Sequence, residues 1–199
     1  MVISWILFDL GNVLVDYRPG GIARAEEALG IEAGELSYFL SENDTFQKME
    51  TGLLSPGEFV AQLNDRFHRR VTPAEIVAWF GPDISFVYPE IPPLLRLLRR
   101  RYSLGVLSNT FFGHWDYFLG MEIAGFFAAP MASHLLGYTK PDRRIFQEAL
   151  RRIRAKPGEV VFVDDREENV AAALQAGLRA FQARGGAEVV EGLRRHGVM

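Results

Sequence analysis

The sequence contains no cysteine. No disulfide can staple the chain and no thiolate can hold a soft metal, which fits a reducing, cytoplasmic setting. Charge of one sign is also missing. Lys and Arg number 22 against 25 Asp and Glu, a net charge of −3. That balance gives no footing to a nucleic-acid partner or an anionic membrane surface. Long apolar runs are absent too. The segment from Met1 to Val15 is apolar, but Asp9 interrupts it, far short of the ~20 residues a membrane span needs. No basic stretch precedes that run and no small-residue cleavage site follows it, so no secretory signal is expected. Internal repeats and low-complexity segments are lacking. What remains is 199 residues, 48% of them apolar. That suits one α/β domain, or one domain with a smaller insertion.

The periodicity alternates. Val2–Phe8 is a continuous apolar run that reads as a buried parallel strand ending at Asp9. Residues 18–88 differ: helical patterns cover about 21–29, 34–49, 56–70 and 73–80, and no convincing strand is visible. Ser55-Pro56 and Thr72-Pro73 place an N-cap residue before a proline at the first helical position. Beyond residue 88 the α/β pattern resumes. A helix is expected over 92–101 with Leu94, Leu95, Leu97 and Leu98 inward, a strand over 103–107, a helix over 113–119 and a short strand over 126–129. A strongly amphipathic helix follows over 142–154, with Ile145, Phe146, Ala149, Leu150 and Ile153 on one stripe between solvated arginines. A strand over 160–163, a helix over 167–176 closed by Gly177 and a last strand over 179–183 complete the pattern. The expected fold is α/β: a three-layer, Rossmann-like parallel sheet core from residues 1–17 and 89–199, carrying a helical-bundle cap at 18–88.

Three of the expected strands end in polar residues: Asp9-Leu10-Gly11-Asn12, Ser108-Asn109-Thr110 and Asp164-Asp165. Lys140-Pro141 precedes a helix. Singly, each is what a cap or a turn supplies. Together they set three carboxylates, a hydroxyl and an ammonium at the carboxyl edge of one sheet, where α/β proteins gather their sites. Phosphoryl transfer needs such a set: an oxygen nucleophile, carboxylates for a hard cation and donors for the phosphate oxygens.

In this order the motifs resemble the four of the haloacid dehalogenase superfamily: FDLGNVLVD (Phe8–Asp16), Ser108-Asn109-Thr110, Lys140 before Pro141, and Asp164-Asp165. The insertion lies where many members of that family carry a cap. The resemblance implies a phosphomonoesterase that takes Mg2+ and acts on a small phosphorylated metabolite. Asp9 would be the nucleophile, Ser108 and the backbone at Asn109 would bind phosphoryl oxygens, and Lys140 would neutralise charge. Asp9, Asp165 and the Gly11 carbonyl would hold the metal, with Asp164 as a ligand or behind it. FDLGNVLVD and the His114 spacing look closest to a bacterial branch that includes glucose-1-phosphate phosphatases. With the charge balance and the absent cysteine, the expectation is no nucleic acid or membrane partner, a cytoplasmic location and a monomer or homodimer.

Gly11 is the departure. Most phosphatases of the family have an aspartate there, which protonates the leaving group and then activates water. Dehalogenases of the superfamily have an aromatic residue there and lack the paired carboxylates, so Asp164-Asp165 argues for phosphate. Glycine keeps a carbonyl, lacks the acid, and is open to backbone angles that aspartate adopts poorly. It leaves a second class open: a phosphate-binding or protein-interaction module with impaired catalysis. A phosphomutase fits less well, because reversible transfer leans on the missing acid. His114, six residues after Ser108, could stand over the site as a proton donor or substrate contact, or be an exposed or capping residue of its helix. Asn169 could orient the metal loop, and Asp16 fits a structural role. Glu50-Thr51-Gly52, Tyr17, Arg18 and Phe46 could face substrate; Phe67, Trp79 and Phe80 read as cap core, and His68 as surface.

Overall fold

A computed structural model describes residues 2–199, apart from the side chain of Asn43. Its central sheet has five parallel strands: β1 (Trp5–Phe8), β4 (Ser103–Ser108), β5 (Ala129–Ala132), β6 (Val160–Asp164) and β7 (Arg179–Gln182). They run in the order β5-β4-β1-β6-β7, so the first strand is central. Phe8 pairs in register with Val106 on one side and Val163 on the other. Three chain segments therefore leave the sheet side by side at one edge: Asp9, Ser108 and Asp164-Asp165.

Apolar residues cover both faces, which is why the strands read as unbroken apolar runs. Ile6, Phe8, Val106 and Val163 face one layer of helices: α6 (Ile91–Leu98), α7 (Phe112–Leu119) and α11 (Gly186–Arg195). Leu7, Leu107 and Phe162 face the other, made by α9 (Arg143–Ile153) and α10 (Glu167–Gln175). All five stripe residues expected on α9 are buried. Between them, the single-turn helix α8 (Ser133–Leu136) follows β5.

Five helices lie between residues 21 and 80: α1 (Gly21–Leu29), α2 (Glu35–Ser41), α3 (Thr45–Glu50), α4 (Pro56–Phe67) and α5 (Pro73–Phe80). Ser55 and Thr72 each form a full capping box, with Glu58 and Glu75, ahead of a proline at the first helical position. These helices enclose their own apolar cluster, including Phe39, Phe59, Leu63, Phe67 and Phe80. Phe111 and Phe112, which follow β4, complete that cluster and join the helical layer to the rest of the molecule.

Four expectations are corrected. A strand does exist within 18–88: β3 (Ile84–Val87) pairs antiparallel with β2 (Val15–Tyr17). Ser85 and Phe86 are exposed, so β3 shows neither the alternation nor the buried run that marks a strand. The strand expected at 126–129 lies at 129–132, because a 3-10 stretch occupies Glu122–Phe126. Leu97 points outward, 49% exposed, since Leu94, Leu95 and Leu98 already fill the buried stripe. The first strand begins at Trp5, with Val2 in solvent. Helix α11 had no counterpart in the expectations.

Candidate active site

Lys140 organises the site. Its ammonium is buried and donates three hydrogen bonds of 2.7 Å, to Asp9 Oδ1, to Asp164 Oδ2 and to the Leu107 carbonyl. Three donors meet three acceptors, so the buried charge is fully satisfied. Asn109 holds the lysine in place: its Nδ2 donates to the Lys140 carbonyl and its Oδ1 accepts from the Lys140 N–H, both at 2.7 Å. Burial works against the Lys140 charge, but Asp9 and Asp164 outweigh it and raise the ammonium above its ordinary pKa. Burial pushes the Asp9 carboxyl up to about 6, against the pull of Lys140 and with some help from Asp164.

The two acids of the β6 edge differ. Asp164 is fully buried and both its oxygens are occupied: Oδ2 by Lys140, Oδ1 by the Arg166 N–H and Asn169 Nδ2, each at 2.9 Å. Asp165 is half-buried and faces a cavity of about 340 Å³. Burial raises its pKa, opposed by a hydrogen bond from Asn12 Nδ2 at 3.1 Å. Asn12 sits at φ +57°, the left-handed region that asparagine tolerates better than most residues. Its backbone closes the loop, donating to Val15 O and accepting from Gly185 N–H, both at 2.7 Å.

One oxygen from each of Asp9, Asp164 and Asp165 lies within 4.8 Å of the others. Three hard oxygen donors against one ammonium leave excess negative charge that suits a small divalent cation, Mg2+ in particular. A further observation fits. Asn169 Oδ1 is the one buried side-chain nitrogen or oxygen without a hydrogen-bond partner among the described residues, and Asn169 lines the same cavity. That oxygen is shut off from solvent, and what the amide supplies to the metal edge is the Nδ2 bond that braces Asp164.

The cavity brings together Asp9, Gly11, Glu50, Ser108, Asn109, His114, Lys140 and Asp165; Asp164 lies beneath it. Tyr17, Phe46 and Asn169 also line it, while Arg18 is exposed and bonds Asp16 instead. Tyr88 donates to the other oxygen of Asp16 at 3.4 Å, which ties that acid to the β2–β3 ribbon. Phe46 and Glu50 come from α3, so the helical layer forms one wall and the sheet edge the other. Burial raises the pKa of Glu50 and pushes the Tyr17 hydroxyl up to about 12. His114 is neither exposed nor a cap. It is buried, with Nε2 3.1 Å from Asp83 Oδ2. Gly11 does not occupy the left-handed region, and an added Cβ would meet only Tyr17 at 3.5 Å, so no backbone angle demands glycine. Asp83 and Arg166 were not anticipated, and Asn12 and Thr110 stood in the polar strand ends without a role of their own. Asn12 follows a glycine at a strand end, a signal that was available; Asp83 reaches the site only through His114, 31 residues away.

Known proteins share this architecture. A family model described as haloacid dehalogenase-like hydrolase matches residues 3–177. A D-ribitol-5-phosphate phosphatase of Bacteroides thetaiotaomicron is 31% identical, over 94% of this chain and 95% of the relative. A glyceraldehyde 3-phosphate phosphatase of Methanopyrus kandleri is 28% identical, over 93% and 85%. Among solved structures, a haloacid dehalogenase family enzyme of Bacteroides thetaiotaomicron, in complex with magnesium and inorganic phosphate, superposes with TM-score 0.78 at 25% identity, covering 92% of this chain and 96% of that one. A predicted HAD-like hydrolase of Porphyromonas gingivalis gives TM-score 0.81 at 27% identity, with 98% of each chain covered. The chain belongs to the haloacid dehalogenase-like hydrolase family. Its curated relatives include phosphoric monoester hydrolases, and it is an enzyme of that class.

Proposed function

We propose that this enzyme hydrolyses a small phosphorylated metabolite, a sugar or polyol phosphate, through an aspartyl-phosphate on Asp9. The observation that carries the reading is the Lys140 ammonium, bonded at 2.7 Å to both Asp9 and Asp164 on the floor of the cavity. An oxygen nucleophile beside a fixed positive charge, with further carboxylates for a cation, is the apparatus for attack on phosphorus. Asp9 supplies the attacking oxygen. Lys140 holds it in position and offsets charge. Ser108 and the backbone at Asn109 donate to phosphoryl oxygens. Asp9, Asp165 and the Gly11 carbonyl would hold Mg2+, with Asp164 directing Lys140 from below; magnesium, when bound, supplies charge neutralisation for the phosphate.

Residues 18–88 act, in this reading, as a cap over the core of 1–17 and 89–199. Its support is that Phe46 and Glu50 face the nucleophile across the cavity. The half-buried Glu50 carboxyl suits sugar hydroxyls better than a second phosphate. The phosphatase relatives act on D-ribitol-5-phosphate and glyceraldehyde 3-phosphate, which points to a short polyhydroxylated substrate. The cysteine-free sequence suits a cytoplasmic enzyme, working as a monomer or homodimer.

The test is a screen of sugar, polyol and aryl phosphates with magnesium and after EDTA, on wild type and Asp9→Asn. Turnover should need the metal and fall on the order of 10⁴-fold or more in Asp9→Asn. Full activity in a folded Asp9→Asn protein would exclude the mechanism.

A further inference from the structure

The reaction just described lacks a proton donor at Gly11. We propose that His114, oriented by Asp83, protonates the departing oxygen and then takes the proton of the attacking water. This rests on the phosphatase reading and goes further by assigning the acid and base.

The placement is specific. A Cβ on Gly11 would stand 3.5 Å from Tyr17 Cβ and 3.7 Å from Tyr17 Cγ. The Tyr17 ring in turn meets the His114 ring edge to face, with centroids 5.5 Å apart. The imidazole is thus one aromatic ring away from where an acid at residue 11 would begin, and both positions line the same cavity. Phe111 and Phe80 close around the imidazole, with ring centroids at 4.8 and 6.0 Å.

The orientation is fixed as well. A carboxylate can only accept, so the contact with Asp83 puts a hydrogen on Nε2 and leaves Nδ1 as the exchangeable position. Among the described residues no hydrogen bond is made by Nδ1, and it is not among the buried unpartnered atoms, so it keeps some exposure on a residue that lines the cavity. Asp83 is itself held: it is buried, accepts from the Gly20 N–H at 3.0 Å and pairs with the Arg24 guanidinium. An acid that orients a histidine through one ring nitrogen, leaving the other for chemistry, is the base–orienter arrangement of many hydrolases.

Other candidates on the cavity fit less well. All three Lys140 N–H groups are committed. Tyr17, pushed up to about 12, is too weak an acid. Glu50 carries a carboxyl whose pKa is raised, but no hydrogen bond fixes its direction among the described residues. In the first half-reaction an Asp9 oxygen bonds phosphorus and the bond from phosphorus to the alcohol oxygen breaks. That oxygen takes the Nδ1 proton of the imidazolium. In the second, a water oxygen bonds phosphorus and its proton passes to Nδ1. The Asp9–phosphorus bond breaks with its electrons returning to the carboxylate. The sum is phosphomonoester plus water giving alcohol plus phosphate, with His114 regenerated.

The experiment compares wild type, His114→Gln, Asp83→Asn and Glu50→Gln, with magnesium, on p-nitrophenyl phosphate, phenyl phosphate and ribitol 5-phosphate. The last two leave as more basic oxygens and need the proton more. His114→Gln should lose ~10²–10⁴-fold in kcat/KM on ribitol 5-phosphate, the usual worth of general acid catalysis. It should lose far less on p-nitrophenyl phosphate, and so widen the p-nitrophenyl-to-phenyl rate ratio. Asp83→Asn should widen it in the same direction by a smaller factor. Circular dichroism and Tm confirm the fold of each variant. Equal loss on every substrate would reduce the Asp83–His114 contact to a staple between the helical layer and the core. No loss, or a widened ratio in Glu50→Gln instead, would equally overturn the proposal. Wild type inactive on p-nitrophenyl phosphate, or Asp9→Asn active on it, would instead overturn the phosphatase reading.

Discussion

Placing an aspartate at residue 11 asks whether the proton on the leaving group has one source or two. The backbone there is not left-handed, and the new Cβ would make only ordinary contact with Tyr17, at 3.5 Å. Gly11→Asp should therefore fold. Loss of a glycine's freedom in the unfolded chain favours it by about 0.4–1 kcal/mol. The new carboxyl would stand beside Asp9 and Asp165, and neighbouring negative charge holds a proton on a carboxylic acid. That is the state a donor needs. If His114 already donates, the substitution adds under about tenfold to wild type on ribitol 5-phosphate. In a His114→Gln background it should regain most of the ~10²–10⁴-fold loss, or about 2.7–5.4 kcal/mol of barrier at 1.36 kcal/mol per decade. The assay is kcat/KM for the four proteins of this double-mutant cycle, on ribitol 5-phosphate and p-nitrophenyl phosphate. Equal gains in the two backgrounds would mean that residues 11 and 114 act independently, and the assignment of His114 as the acid would be refuted.

Two further outcomes are expected. Gly52, just beyond α3, sits at φ +69°, and a Cβ there would overlap the His134 carbonyl oxygen of α8. Gly52→Ala should cost about 2 kcal/mol, or ~4–8 °C in Tm for a domain of this size, and should raise KM for ribitol 5-phosphate by displacing Glu50. An unchanged Tm would mean that the contact between the helical layer and the core yields freely. His134 has its pKa lowered by burial, against the hydrogen bond of its Nδ1 with the Thr110 carbonyl. A base whose folded pKa is depressed stabilises the fold above its unfolded value of 6.5, and the contribution fades as pH falls below that value. Between about pH 7.5 and about pH 5, Tm should therefore drop more for wild type than for His134→Gln, and parallel curves would contradict this.

Signals carried by a few neighbouring residues were legible in the sequence. An unbroken apolar run ending in acid marked β1 and β6, because a strand buried on both faces needs apolar residues at every position. Ser55-Pro56 and Thr72-Pro73 marked two helix starts, because capping is a contact over three residues. The residues Asp9, Ser108 and Asp164-Asp165 were legible as a group because strand ends in one parallel sheet share an edge. What was not legible depends on partners far along the chain. Ile84–Val87 becomes a strand only because Val15–Tyr17 stands beside it, and its exposed middle residues erase the apolar pattern. His114 was a candidate by its spacing, but what holds it was not legible, because Asp83 and Tyr17 arrive from the two ends of the helical layer.

Gly11 joins the two kinds of information. The sequence shows that no acid is present, and it leaves open that the loop itself requires glycine. An ordinary φ and an unobstructed Cβ direction remove that explanation, because an aspartate could stand there without strain. The loop's one left-handed position is the next residue, Asn12, which meets that demand with a side chain that also bonds Asp165. Conformation therefore does not exclude the acid at residue 11. The cavity beside it already holds a histidine fixed through one nitrogen and open at the other. A protonated acid at residue 11 would duplicate the donor that His114 supplies. A glycine at 11 and an oriented histidine one aromatic ring away form a consistent division of labour: the nucleophile's loop carries no proton, and the helix after β4 does.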